Sequence, residues 1–248
     1  MLSPQFKALY KKEFQSFFKT PLGYVFLVIF LFGLGYMAFE PGRGSFFLLR
    51  EASLRAFFDY IPWMFIFLVP AVSMKLWADE RKRGTVELLF SMPITVKVAV
   101  LAKFFAAWTF VALALSLTFP MIITVLILGR PDLKIIFLGY ASSMLLAGAM
   151  LSVGGFFSAM TKNQVVSFIL TVATCFVLLM ADSPPVLELV GTFAPKYVLN
   201  IFESLSLQGH FESMGKGVIR LSDLCYFSIM IGFWSFSSIV LLNENKSE

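Results

Sequence analysis

The sequence predicts an all-α membrane protein: six transmembrane helices preceded by an N-terminal amphipathic interfacial helix, with short outer helices between spans five and six. Three observations predict it. Of 248 residues, 58% are hydrophobic and only 14% charged, whereas a soluble domain carries about a quarter charged residues. The charges gather in short clusters that leave six charge-free runs, at 20–39, 60–74, 104–129, 135–161, 163–181 and 224–243. The first helix has one aromatic face and one basic face. A charge at the bilayer centre costs roughly 2.5 to 3.5 kcal/mol, so such runs locate spans well.

The chain starts with PQFKALYKKEFQSFFK, residues 4–19, which puts Phe6, Leu9, Tyr10, Glu13, Phe14 and Phe17 on one helical face. Lys7, Lys11, Gln15 and Lys19 fall opposite. That pattern predicts an interfacial helix with aromatic anchors and a basic side toward lipid phosphates. It is too long in its basic part for a cleaved signal. Thr20-Pro21 breaks it. Spans are then expected at about 21–39, 59–78, 98–128, 135–160, 163–181 and 222–242, each near the roughly 20 residues that cross the hydrocarbon. Lys75 closes the second by snorkelling.

Sidedness follows from Lys and Arg near the helix ends. With the N-terminus inside, the inner segments hold Lys7, Lys11, Lys12, Lys19, Lys75, Arg81, Lys82, Arg83, Lys97, Lys103, Lys162 and Lys246. The outer segments hold Arg43, Arg50, Arg55, Arg130, Lys134, Lys196, Lys216 and Arg220, diluted by acidic residues. Both termini are expected in the cytoplasm, in a bacterial inner membrane. Between spans five and six, an extracytoplasmic helical segment is expected over 183–221. SPPVLELVGTF starts a helix with Ser183 as cap, and KYVLNIFESL places Val198, Ile201, Phe202 and Leu205 on one face. His210, the only histidine, reads as a polar residue at the membrane surface, and Cys175 and Cys225 as small hydrophobes inside apolar runs.

The informative stretch is WADERKRGTVELLFSMPI, residues 77–94. Five consecutive charges, Asp79 to Arg83, follow the second span. Gly84 breaks the helix, Thr85 is placed to cap a new one through its hydroxyl, and Glu87 sits in the first turn where the macrodipole favours an anion. Leu88, Leu89 and Phe90 supply an apolar surface and Pro93 ends it. A helix over 84–92 is too short to be stable alone in water, so it must pack against something. The cluster Arg81, Lys82, Arg83 is also a positive-inside stop signal.

ERKRGTVELLFSMPIT resembles the cytoplasmic signature that follows the second span in ABC-2 type transporter permeases. The positions that carry the resemblance are Glu80, Arg81, Gly84, Thr85, Glu87, Leu88, Leu89 and Pro93, and together with Arg83 they are the expected ATPase-coupling residues. HFESMGKGVIRLSDLCYF, residues 210–227, resembles the approach to the last span in the gliding-motility-associated branch. The resemblance covers nearly the whole chain, as one ABC-2 type transmembrane domain. It implies that 84–92 is a coupling helix seated in a cleft of a separate ATPase subunit. It further implies a pair of such ATPases, which bind the ATP and Mg, and a second permease copy or sister permease. A gliding-motility-type accessory subunit is a further possible partner.

No G-x-x-x-x-G-K-[ST] phosphate loop occurs in the chain, so no cofactor and no catalytic or metal site is expected in it. Nor is nucleic acid an expected partner, because no polybasic run tracks a phosphate backbone. Membrane lipids are. The function expected is the permease subunit of an ATP-driven exporter; the alternative is a membrane subunit that uses ATP for mechanical or assembly work. A proton-coupled carrier is disfavoured by spans empty of ionisable groups. Gln164, Ser167, Thr171 and Thr174 share a face of the fifth span. They are read either as hydroxyls bonded within the bundle or as part of a substrate route. Gly148, Ser152, Gly155 and Ala159 make a small-residue face on the fourth.

Overall fold

The structure is a computed structural model that describes residues 4–39, 53–91, 94–193, 195–215, 217 and 220–247. Every regular element among the described residues is helical. The N-terminal helix α1 (Pro4–Lys19) ends at Thr20, and α2 (Pro21–Phe39) follows at once. Its six-residue aromatic face is turned to the protein. Phe6 meets Phe105 at 6.3 Å, Phe17 stacks on Phe110 at 4.8 Å, and the Tyr10 hydroxyl donates to Thr109 Oγ1 at 2.9 Å. Lys7, Lys11, Gln15 and Lys19 are exposed. Rings expected as lipid anchors are thus half-buried and packed against another helix, where aromatic pairs gain beyond their area.

The second long segment is α3 (Arg55–Ser73), which carries Pro62 and Pro70. A turn at 74–77 leads to α4 (Ala78–Arg83) and α5 (Thr85–Ser91). Next come α6 (Val96–Ser116) and α7 (Phe119–Leu128), nearly one helix but broken at Leu117 and Thr118, with Pro120 tolerated in the first turn of α7. The centre of the bundle is α8 (Leu133–Met160). After it come α9 (Gln164–Met180), α10 (Pro184–Phe193), α11 (Lys196–Ser204), α12 (Leu207–Gly215) and α13 (Leu221–Ser247), and α8 packs on α3, α6, α9, α12 and α13. Thr95, Asp132 and Asn163 cap α6, α8 and α9 by accepting the Val98, Lys134 and Val165 amides.

Among the described residues, five segments are long and apolar enough to cross a membrane: Pro21–Phe39, Arg55–Arg83, Val96–Leu128, Leu133–Met160 and Leu221–Glu244. The expected fifth span differs. At 17 residues α9 rises about 25 Å, short of the roughly 30 Å hydrocarbon, and α10 turns away from it by 88°. It makes a sixth crossing only with α10 as its continuation. Among the described residues, three short helices stand between α9 and α13 where two were expected, since the segment around His210 forms α12. Ser183 does not cap α10: its hydroxyl donates back to the Met180 carbonyl at 2.7 Å, closing α9 instead.

The expected stripe on α8 packs closely at Gly148, where a Cβ would lie 2.9 Å from Ile231 Cδ1, and is buried at Ser152 and Ala159, while the tightest approach on this helix comes one residue off the stripe, at Gly154. A Cβ on Gly154 would lie 2.0 Å from Ser73 Oγ and 3.1 Å from Thr171 Cγ2, so hydrogen alone lets α3 and α9 approach there. Gly155 faces open space. The bundle has two distinct ends. α1, α4, α5 and the N-termini of α6 and α9 meet the C-terminus of α8 at one. At the other, α12 packs on α8, α9 and α13.

Candidate coupling site

The stretch 74–91 is held by bonds to three other helices. Where the second segment breaks after Ser73, the amides of Trp77 and Ala78 would be left without intrahelical acceptors. Buried Ser158 on α8 accepts from both, at 3.0 and 3.1 Å, and donates to the Met74 carbonyl at 2.9 Å. Arg81 adds a guanidinium hydrogen bond to the Ala159 carbonyl at the end of α8. Asp79 Oδ1 accepts from the Gln164 side-chain amide at the start of α9. Gln164 therefore belongs to this end of the bundle, apart from the hydroxyls below it.

The third tie is an ion cluster. Lys103 sits about two turns inside α6 and is only 2% exposed. Its Nζ lies 3.0 Å from Glu80 Oε1 on α4 and 3.2 Å from Glu13 Oε1 on α1, and 4.9 Å from the centre of the Trp77 ring. The expectation that the crossing helices carry no ionisable group is corrected here. Lys103 lies within the Val96–Leu128 segment and buried Asp223 in the first turn of α13. Each has a partner at hydrogen-bond distance, Glu80 for Lys103 and the His210 ring for Asp223.

Between α4 and α5 the chain reverses at Gly84, whose φ of 69° is left-handed. Thr85 is the first residue of α5, and its hydroxyl reaches back to the Glu80 carbonyl at 3.4 Å. It closes α4 where a cap for α5 was expected. Gly84→Ala would place a Cβ in the left-handed region, which costs about 1–2 kcal/mol. Nothing lies within 4 Å to clash. The purified variant should therefore lose a few degrees in Tm, without any change in helical content by circular dichroism.

The seven-residue α5 presents two different leucines. Leu89 is 7% exposed and belongs to the protein's own core; Leu88 is 64% exposed. Glu87, Leu88 and Ser91 face outward, and Arg83 is exposed beside them. The pair expected to act together thus divides into an anchor and a free contact. Pro93 and the Phe90 side chain lie outside the described residues, as do Arg43, Arg50 and Lys216.

On α9, Ser167, Thr171, Cys175 and Leu179 form one buried face at four-residue spacing. Thr171 donates to the Ser167 carbonyl at 2.7 Å, Ser167 Oγ is buried with no hydrogen-bond partner, and Thr174 is half-buried. In this arrangement the hydroxyls pack toward α3 and α8.

No curated protein matches the chain. The family model described as "ABC-2 family transporter protein" matches residues 7–242, from the first turn of α1 to within α13, so the chain belongs to the ABC-2 transporter family and is a multi-pass membrane component.

Proposed function

We propose that the chain is the permease subunit of an ATP-driven exporter, and that α4 and α5 are where separate ATPase subunits grip it. The observation that carries this reading is Leu88. An apolar side chain stands exposed beside Glu87 on a helix too short to hold itself, yet that helix is fixed to the bundle through Leu89 and its neighbour α4. Glu80, Arg81 and Thr85 are engaged within the chain and position the contact; Glu87 and Leu88 make it. The ATPases supply the ATP and Mg chemistry. α1 and both termini lie on the cytoplasmic side of a bacterial inner membrane, and the permease works as a pair with a second copy or a sister chain, with an accessory subunit of the gliding-motility type as a further partner. Ser167, Thr171 and Thr174 would line a substrate route only in a state where α9 parts from α3.

Leu88→Asp tests the contact without touching the core. It is expected to weaken ATPase binding by about 2 kcal/mol or more, as loss of an apolar anchor at an interface centre does, while Tm stays unchanged. Co-purification of the ATPase at the wild-type level would overturn the assignment. Flux in reconstituted vesicles then distinguishes export from ATP-driven mechanical work.

A further inference from the structure

A cavity of about 800 Å³ lies between α1, the start of α2, the end of α3 and α5. Its size is that of a ligand pocket, about 300–1,000 Å³. Its floor is apolar, from Leu9, Phe17, Phe26, Val72, Leu76 and Leu89. Its charged wall is unevenly balanced. Lys103 is already neutralised by Glu13 and Glu80, and Asp79 takes the Gln164 amide and lies near Lys75. That leaves Lys12 on α1 and Arg83 on α4, neither of which forms an ion pair among the described residues. Gly23 and Phe26, in the first two turns of α2, continue the floor toward the outward face of that span, where Val28, Ile29 and Phe32 are exposed.

We infer that this cavity holds one anionic phospholipid of the same leaflet, its headgroup between Lys12 and Arg83 and an acyl chain on the Phe17, Phe26 and Leu76 floor. The inference rests on the reading that this end of the bundle lies at the membrane surface. Two observations select this occupant. The unpaired cations sit over an apolar floor, which matches a molecule charged at one end only. The floor runs into a helix face already apolar along its length, so a chain can enter from the bilayer without crossing water. Anionic headgroups gain from each nearby Lys or Arg in the way soluble anions do, and the chain adds what soluble anions lack.

The test is native mass spectrometry of the detergent-solubilised full chain titrated with phosphatidylglycerol, phosphatidylcholine and glycerol phosphate. Wild type is expected to retain one phosphatidylglycerol in preference to phosphatidylcholine, undisplaced by glycerol phosphate. Lys12→Glu should weaken retention by about tenfold. Ala8→Trp, which fills the cavity from an exposed position on α1, should abolish it at unchanged Tm. Glu87→Ala, an exposed position outside the cavity lining, should leave retention intact, so that loss of the ATPase contact and loss of the lipid are separately visible. Equal retention by wild type, Lys12→Glu and Ala8→Trp overturns the site. So does displacement by glycerol phosphate, equal binding of phosphatidylcholine, or loss of ATPase instead of lipid in the α1 variants.

Discussion

Lys103→Met is expected to destabilise the protein by about 3–5 kcal/mol, the cost of leaving buried charges without their partner. Methionine fills much the same volume, so the effect isolates charge. Glu13 and Glu80 both lean on the one ammonium, at 3.2 and 3.0 Å, and without it two carboxylates face each other beside the Trp77 ring. Glu80 Oε2 is already buried without a hydrogen bond, so it has no second donor to turn to. Thermal unfolding in detergent measures the loss. Adding Glu13→Gln and Glu80→Gln to Lys103→Met should return most of it, because replacing a whole buried ion cluster is far milder than removing one member. If the triple variant is as unstable as the single one, packing rather than charge holds the site.

His210→Ala is the second large effect, about 3 kcal/mol, at the opposite end of the bundle. His210 Nδ1 lies 2.7 Å from Asp223 Oδ1, Nε2 lies 3.3 Å from the Ser204 carbonyl, and the ring stacks 4.0 Å from Tyr226. Nδ1 thus faces a carboxylate oxygen and Nε2 a backbone carbonyl. Asp223 is buried in the first turn of α13 and its Oδ2 has no other donor. Removing the imidazole therefore strands a carboxylate. Tm should fall by roughly 6–12 °C for a chain of this size. Protease cleavage within α12 should quicken, since the pair ties α12 to α13. His210→Ala combined with Asp223→Asn should recover part of the loss; no recovery would mean that the stacking, and not the ion pair, dominates.

Five of the six expected spans were legible because a membrane imposes length and purity on any helix that crosses it; the fifth in order, at α9, is too short to cross by itself. The charged stretch after the second span was legible because Gly84 and a cluster of five charges stand out in an apolar chain. What stayed hidden depends on partners far away in sequence. Ser158 looks like any hydroxyl in an apolar run; only its bonds to Met74, Trp77 and Ala78, about eighty residues back, give it a role. Thr85 and Ser183 were assigned forward, to the helix each precedes, whereas both hydroxyls close the helix behind. A side chain at such a junction has a donor and an acceptor, and local sequence does not say which neighbour takes it. One clue was visible and unread. Glu13 stands among Phe6, Tyr10, Phe14 and Phe17, and a carboxylate on an aromatic face calls for a buried cation. His210 carried no such mark, since Asp223 lies thirteen residues on, across a turn between helices.

The single hydroxyl of Ser158, with the Arg81, Asp79 and Lys103 contacts around it, leaves the break after α3 no play. A push on α5 cannot rock it like a loose hinge, because α6, α8 and α9 are bolted to the same short piece of chain. Any torque delivered there would turn several membrane helices together, with α8 as the shaft.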